Sequence, residues 1–329
     1  MSDAVLVTGG AGYIGSNACK ALAKAGYKPI AYDNLSRGHR QSVRWGPLVE
    51  GDLSDRRRLD GVLADFRPVA VLHFAGYAYV AESMARPELY FRNNVVNSLN
   101  LFEALLRAGN PPVVFSSSCA TYGIPDTTPI DETAPQRPVN PYGESKAMVE
   151  RALASLDRAH GLRHVTLRYF NAAGADPDGE IGERHDPETH LIPLVLEAVL
   201  GRRDAVEIFG TDYPTPDGTA IRDYIHIQDL VEAHVRALDY LRAGGASVAL
   251  NLGTGIGHSV RQVIEIAGQV TGRPVPYREA PRRSGDPPIL VADARAAQRV
   301  LQWQAVLPKL DDIVAAAWRW RQKFSDWNF

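Results

Sequence analysis

Cysteine is scarce in this chain of 329 residues, which contains only Cys19 and Cys119. Two cysteines so far apart supply neither a disulfide framework nor the set of thiolates that a structural zinc site needs. One falls in a predicted helix and the other follows a run of serines. We therefore interpret both as packing residues.

An excess of charge of one sign is also missing, because 36 basic residues face 38 acidic ones. No basic stripe interleaved with aromatic residues appears, so nucleic-acid binding is not expected. No apolar run approaches the ~20 residues of a membrane-spanning helix, and the first residues lead into an apolar strand rather than a signal peptide. The sequence thus predicts a cytoplasmic enzyme without a membrane partner.

A glycine-rich turn stands near the amino terminus, in Val5-Leu-Val-Thr-Gly-Gly-Ala-Gly-Tyr-Ile-Gly15. An apolar run precedes the turn, and Ile14, Ala18 and Leu22 follow at helical spacing, which predicts strand, turn and helix. The glycines let the backbone approach a pyrophosphate, and the start of the helix offers it free N–H donors. The pattern predicts a dinucleotide site.

A second apolar run, Pro29-Ile-Ala-Tyr-Asp33, ends in a carboxylate at the expected distance from the glycine turn. A carboxylate there accepts hydrogen bonds from the adenosine ribose, whereas it would repel a 2′-phosphate. Asp33 therefore favours NAD over NADP. Arg37 and Arg40 lie close enough in sequence to leave NADP open.

Apolar runs alternate with helical stretches along the first half of the chain. This order predicts an α/β fold, a doubly wound parallel sheet of the Rossmann type, with a smaller mixed α/β substrate domain. We place the NAD-binding domain at 1–174, with segments near 219–252 rejoining it, and the mainly substrate-binding domain at 175–329. Further strands are expected at 48–52, 69–76, 113–118 and 165–168, and helices at 87–108 and 142–160.

A tyrosine and a lysine stand four residues apart in Tyr142-Gly-Glu-Ser-Lys146. On a helix, side chains at this spacing project from the same face. A nearby ammonium favours the phenolate, so we expect a lowered pKa for Tyr142 and a role as general base.

Three motifs together resemble the extended short-chain dehydrogenase/reductase superfamily: Thr8-Gly-Gly-Ala-Gly-Tyr-Ile-Gly15, Phe115-Ser-Ser-Ser118 and Tyr142-x-x-x-Lys146. Within that superfamily the chain resembles the UDP-glucose 4-epimerases over nearly its whole length. The segments that carry this second resemblance are Leu167–Asn171, Phe209–Thr219, Ile221–His226 and Arg282–Asp286.

The resemblance implies that NAD oxidises C4 of a UDP-sugar and then returns the hydride to the other face. The implied catalytic residues are Tyr142 as base, Lys146 and Ser118. The implied cofactor contacts are Gly9, Gly12, Tyr13, Ile14, Asp33, Asn34, Asp52, Leu53, Phe74, Ala75, Asn94, Tyr142, Lys146 and Phe170. The implied substrate contacts are Ser118, Tyr142, Asn171, Leu191, Phe209, Arg222, Arg283, Asp286 and Leu290.

Two positions depart from the family pattern. Ala78 stands where many of these enzymes carry a cofactor-binding lysine, and His190 stands where an asparagine often contacts the substrate. The spacing of histidines and acids in His185-Asp-Pro-Glu-Thr-His190 suggests a metal site, but the flanking prolines favour a polar loop. We therefore expect no metal.

The superfamily also includes enzymes with other activities. A dehydratase needs an acid and a base beside the tyrosine, which Ser118-Cys-Ala120 does not supply. A UDP-arabinose or UDP-xylose 4-epimerase remains an alternative, as does activity on UDP-N-acetylhexosamines, because Leu290 is smaller than the tyrosine found there in some relatives. The resemblance also implies a homodimer formed through the helices near 87–108 and 142–160.

Overall fold

The computed structural model describes residues 3–283 and 285–324. Its strands, in chain order, are β1 (Ala4–Thr8), β2 (Lys28–Asp33), β3 (Leu48–Glu50), β4 (Ala70–His73), β5 (Val113–Ser118), β6 (His164–Tyr169), β7 (Asn171–Ala173), β8 (Val206–Phe209), β9 (Ile221–His226), β10 (Val248–Leu252), β11 (Gly257–Ser259), β12 (Tyr277–Ala280) and β13 (Ile289–Leu290).

The helices alternate with these strands in the first half of the chain. They are α1 (Tyr13–Lys24), α2 (Arg56–Phe66), α3 (Val80–Ala85), α4 (Pro87–Tyr90), α5 (Asn97–Arg107), α6 (Pro141–His160), α7 (Leu191–Val199), α8 (Ile227–Arg242), α9 (Val260–Thr271), α10 (Arg295–Leu301) and α11 (Leu310–Phe324). A π-helical segment, Phe91–Val96, joins α4 to α5. The single helix predicted over 87–108 is thus three consecutive helical segments.

Seven parallel strands form the central sheet in the order β10-β6-β5-β4-β1-β2-β3. Their carboxyl ends meet at one edge of the sheet, and the direction of winding reverses between β1 and β4. A ligand crevice forms at such a switch point. The predicted doubly wound parallel sheet is confirmed.

Helices cover both faces of this sheet. Helices α1, α8 and α10 pack on one face, and α2, α5 and α6 pack on the other. The strands are therefore buried on both sides, and Leu72 and Val114 at their centre are fully inaccessible. Burial on two faces explains why the sequence shows continuous apolar runs rather than alternation. Both cysteines are buried and free, which confirms the packing interpretation.

A smaller region gathers the later elements around a separate apolar cluster. Strand β9 pairs with β7, β11 and β13, while β8 pairs with β12, and helices α7, α9 and α11 pack beside them. The segment 219–252 was expected to rejoin the large sheet. Strand β10 does so, because it pairs with β6, whereas β9 belongs to the smaller sheet. The division into two domains stays a prediction.

Side-chain hydrogen bonds cap the start of α9. Ser259 and Gln262 form a capping box there, in which each side chain accepts a hydrogen bond from the backbone N–H of the other residue. Among the described helices, none is long and apolar enough to cross a membrane.

Candidate active site

A cavity of about 1010 Å³ extends from the carboxyl edge of the central sheet into the smaller region. All of the predicted substrate residues line it, namely Ser118, Tyr142, Asn171, Leu191, Phe209, Arg222, Arg283, Asp286 and Leu290. The predicted cofactor residues that line it are Gly9, Gly12, Tyr13, Ile14, Asp33, Asn34, Asp52, Leu53, Phe74, Ala75, Tyr142, Lys146 and Phe170.

Asn94 is the exception among the predicted cofactor contacts. Its side chain is buried and bound to protein groups: it accepts from the Tyr77 N–H at 2.8 Å and donates to the Tyr77 carbonyl and to Ser145 Oγ, both at 3.0 Å. Asn94 therefore fixes the backbone after β4 and does not line the cavity wall.

The glycine turn after β1 forms a cradle that side chains would fill. Gly9 has φ +73°, and a Cβ there would lie 2.7 Å from the Ala75 nitrogen. A Cβ on Gly15 would lie 2.1 Å from the Gly9 carbonyl oxygen. Only glycine permits this close packing of turn, helix and β4 end. The turn thus fits a pyrophosphate held against the start of α1.

Asp33 lies at the end of β2, beside this cradle. Its Oδ2 accepts from the Ala11 N–H at 2.9 Å and its Oδ1 from the Leu35 N–H at 2.8 Å. Burial raises the pKa of Asp33, while these two bonds act in the opposite direction. The carboxylate is therefore fixed in position with lone pairs left for ribose hydroxyls.

The two arginines that left NADP open are both paired with carboxylates. Arg37 Nη2 contacts Glu82 Oε1 at 2.7 Å, and Arg40 is paired with Glu50. The guanidinium of Arg37 also lies over the rings of Tyr77 and Tyr79, with its Cζ 5.3 and 5.0 Å from their centroids. These contacts, together with Asp33, fit NAD.

The start of α6 places the tyrosine and the lysine in the cavity. Asn140 caps the helix by accepting from the Gly143 N–H at 2.8 Å, and Pro141 occupies the first turn. Tyr142 and Lys146 are both buried on the inner face, and Lys146 Nζ lies 6.0 Å from the Tyr142 ring centroid. The prediction that both project from one face is confirmed.

The expected lowering of the Tyr142 pKa is wrong for the protein by itself. Burial raises the pKa of Tyr142 well above its usual value, and Tyr169 nearby raises it further. The hydrogen bond with Ser118 acts in the lowering direction but is outweighed. A buried phenol needs more positive charge than the chain brings close to it before it ionises near neutral pH.

Lys146 is held in a defined position behind the tyrosine. Its Nζ donates to the Ser116 carbonyl at 2.8 Å and lies 5.0 Å from the Phe115 ring centroid. Burial lowers the pKa of Lys146 to about 8, although Glu150, one helical turn further on, acts to raise it. The ammonium form therefore predominates at neutral pH.

The predicted substrate arginines lie at the far end of the cavity, in the smaller region. Arg222 is ion-paired with Asp286 and also donates from Nη1 to the Ile221 carbonyl at 2.8 Å. The guanidinium Cζ of Arg283 lies 3.8 Å from the ring centroid of Phe209. Burial lowers the pKa of Arg283. Two guanidinium groups and an aromatic ring thus meet at one place, as a nucleoside diphosphate requires.

The cavity wall also includes acidic and histidine side chains that are not among the predicted substrate and cofactor contacts. Glu183, His185 and Glu188 line the cavity together with His190, and Tyr79 lies edge-on to His185 at 5.8 Å. Burial alone would lower the pKa of His190, but Glu183 and Glu188 raise it to about 10. The spacing in His185-Asp-Pro-Glu-Thr-His190 had indicated three of these residues as metal ligands to be weighed, whereas Glu183 lies outside that motif. Ala78 also lines the cavity, where the family pattern has lysine.

A doubly wound sheet with a glycine turn facing a buried serine, tyrosine and lysine defines a nucleotide-dependent enzyme of the dehydrogenase/reductase class. The chain belongs to the NAD dependent epimerase/dehydratase family, whose model matches residues 5–253. This confirms the superfamily resemblance.

Individual relatives cover almost the whole chain. It is 53% identical over 323 residues to the UDP-glucose 4-epimerase of Rhizobium leguminosarum bv. trifolii, covering 98% of both chains. The structure of a UDP-glucose 4-epimerase from Brucella ovis in complex with NAD has a TM-score of 0.94 and 51% identity, covering 97% of this chain and 99% of that one. The Bifidobacterium longum UDP-glucose 4-epimerase in complex with NAD+ and UDP has a TM-score of 0.94 and 36% identity, covering 98% and 99%.

Proposed function

We propose that this protein interconverts UDP-glucose and UDP-galactose. The observation that carries the proposal is the meeting of Ser118, Tyr142 and Lys146 at the sheet edge, within one cavity that also contains the glycine turn. The relatives named UDP-glucose 4-epimerase support the hexose substrate over the UDP-arabinose or UDP-xylose alternative.

Each catalytic side chain has a distinct task in this proposal. NAD, when bound, supplies hydride acceptance and return at C4 and brings a positively charged ring into the site. Tyr142, as phenolate, takes the proton of the C4 hydroxyl and later gives it back. Ser118 donates a hydrogen bond to the reacting oxygen, where charge develops. Lys146 holds ribose hydroxyls and adds positive charge beside the phenol.

The remaining cavity residues bind and orient the UDP-sugar. Arg222 and Arg283 hold the diphosphate, and Phe209 provides an apolar surface beside them. The carboxylate of Asp286 keeps the guanidinium of Arg222 in place. The N–H groups of Arg222 that do not contact Asp286 then donate to the ligand. Asn171 and Leu191 border the space left for the sugar.

A direct assay tests the proposed reaction. Purified protein is incubated with UDP-glucose, UDP-galactose, their N-acetylated forms and UDP-xylose, and the products are separated by chromatography. We expect rapid UDP-glucose and UDP-galactose exchange without added reductant, because the hydride returns to the same sugar. Conversion of UDP-xylose alone, or a steady need for reductant, would contradict the proposal.

Substrate range is predicted to depend on Leu290. The residue is buried in β13, lines the cavity and packs near Tyr122 and Phe170. We expect measurable, secondary activity on UDP-N-acetylglucosamine because leucine leaves room that a tyrosine would fill. Leu290→Tyr should lower kcat/KM for that substrate about 10–100-fold more than for UDP-glucose.

The comparison needs a control of similar volume. Leu290→Met should leave both activities close to wild type, because volume-conserving apolar changes are well tolerated. Equal losses on both sugars in Leu290→Tyr would mean that Leu290 only packs against the wall.

The pH dependence of turnover is predicted to depend on Lys146. Turnover requires the phenolate of Tyr142, so the acidic limb of the kcat profile follows the pKa of that group in the complex. Removing the ammonium in Lys146→Met raises this pKa, and the limb should move upward by about one unit or more. Lys24→Met, on the exposed end of α1, is the control. If the acidic limb of the kcat profile did not move in Lys146→Met, a group other than Lys146 would be responsible for lowering the pKa of Tyr142.

Assembly and location are the remaining parts of the proposal. We propose a homodimer formed through α5 and α6 with the adjoining π-helical segment. Apolar side chains exposed on these elements support it, because Val96, Leu99 and Met148 are 50%, 37% and 37% accessible. A cytoplasmic location stays a prediction from the sequence.

A further inference from the structure

Two glutamates and two histidines converge on the loop that precedes α7. One donor atom from each of Glu183, His185, Glu188 and His190 lies within 4.8 Å of the other three. His190 Nδ1 is 2.8 Å from Glu183 Oε1 and 3.4 Å from Glu188 Oε1. His185 Nδ1 is 3.3 and 3.6 Å from the same two oxygens. We call these four residues the His/Glu cluster.

These separations resemble the edges of a metal coordination tetrahedron. Ligands at the usual Zn–N and Zn–O distances stand about 3.3–3.6 Å apart in tetrahedral geometry. Three of the four nitrogen-to-oxygen distances in the cluster fall close to that range, and the fourth is shorter. The donor set is also suitable, since imidazole and carboxylate are the common non-thiolate ligands of Zn²⁺.

The histidine nitrogens give a second, independent indication. Among the described residues, His185 Nδ1 and His190 Nδ1 are buried atoms without a hydrogen-bond partner of acceptable geometry, although carboxylate oxygens lie nearby. Buried polar atoms in proteins nearly always have a partner. Four ligands of one metal ion all point at the ion and not at each other. Histidine nitrogens that lie near carboxylate oxygens without forming hydrogen bonds to them fit this arrangement.

The side chains around the cluster carry a net negative charge that a divalent cation would neutralise. Arg321 pairs with Glu188 at 2.9 Å and with Glu197 at 3.1 Å. Together with Glu183, which contacts both histidines, these three carboxylates and one guanidinium carry a formal charge of two negative units. Either one divalent cation or two protonated imidazoles neutralises them.

We propose that the His/Glu cluster binds one first-row divalent cation, with Zn²⁺ the best match. Four protein ligands make it a closed site of the structural kind. The site fastens the 183–190 loop beside Tyr13, whose ring lies edge-on to His185 at 6.5 Å. The loop runs directly into α7, which begins at Leu191. The proposal replaces the sequence-based interpretation of this segment as a polar loop without metal.

Metal analysis of untagged, full-length protein tests the proposal. After loading with ZnCl₂ and removal of excess by desalting, we expect about one Zn²⁺ per chain by plasma mass spectrometry. The His185→Ala/His190→Ala variant should retain less than about a tenth of that amount, since two of four ligands are gone. Asp178→Asn is the matched control. Asp178 belongs to a second cluster of acidic residues, which surrounds Lys20 and contains no histidine.

Two further measurements on the wild type cover the case in which the double variant does not fold. Co²⁺ in place of Zn²⁺ should give the visible absorption bands of a tetrahedral site, and Zn²⁺ should raise the thermal unfolding midpoint by several degrees. Loaded wild type with no metal above background, or equal metal in the double variant, would overturn the proposal. The cluster would then be an ion-pair network with protonated histidines.

Discussion

Tyr142→Phe is expected to lower kcat about 10²–10⁴-fold, the usual contribution of a general base. The substitution removes only the phenol oxygen, so the ring still fills its buried place on α6 beside Tyr90, whose centroid lies 6.5 Å away. The dissociation constant of UDP-glucose should therefore change little. Initial rates and isothermal titration with UDP-glucose measure the two quantities separately.

A neighbouring phenol provides the control for this variant. Tyr169 is half-buried and also lines the cavity, but its hydroxyl is bonded to Ser116 Oγ at 2.6 Å rather than to Ser118. Tyr169→Phe should keep activity within about tenfold of wild type, because no proton transfer is assigned to it. The assignment of Tyr142 as base would be refuted if both variants lost activity to the same extent.

The pKa of Tyr142 shows where sequence reasoning was insufficient. The spacing of Tyr142 and Lys146 predicted their common face, because the helical repeat alone determines it. Spacing gives no information about burial, and burial raises the pKa of Tyr142 despite the lysine. The proposed activation therefore needs charge from both Lys146 and the bound nicotinamide.

The fold illustrates the same distinction between local and distant information. Continuous apolar runs and the glycine turn predicted the parallel sheet, because burial on both faces leaves a local pattern. The partners of β9 could not be predicted, since short strands carry no local record of which neighbour they pair with. The position of Glu183 beside His185 and His190 could likewise not be predicted, because it depends on the folded path of the loop rather than on local spacing.

Glu150→Ala is expected to destabilise the protein by about 3–5 kcal/mol, the usual cost of leaving a buried charge without its partner. Glu150 on α6 and Arg168 on β6 are 7% and 9% exposed. Arg168 donates from Nε to both carboxylate oxygens at 3.1 and 3.0 Å, and from Nη2 at 2.6 Å. Gln136 and Ser117 donate to the same carboxylate. Alanine leaves these donors without an acceptor.

Denaturant midpoints of three variants test this account. Glu144→Ala lies on the same helix, but its partner Arg151 is exposed and 3.5 Å away, so the loss should be about 0–1 kcal/mol. Replacing both partners, Glu150→Met with Arg168→Met, should recover much of the stability, because the buried charge is then absent. A double variant as unstable as Glu150→Ala would show that the loss comes from packing.

Removing Glu150 also takes away the group that raises the Lys146 pKa, so the folded fraction of Glu150→Ala should lose the Lys146 ammonium at lower pH than wild type.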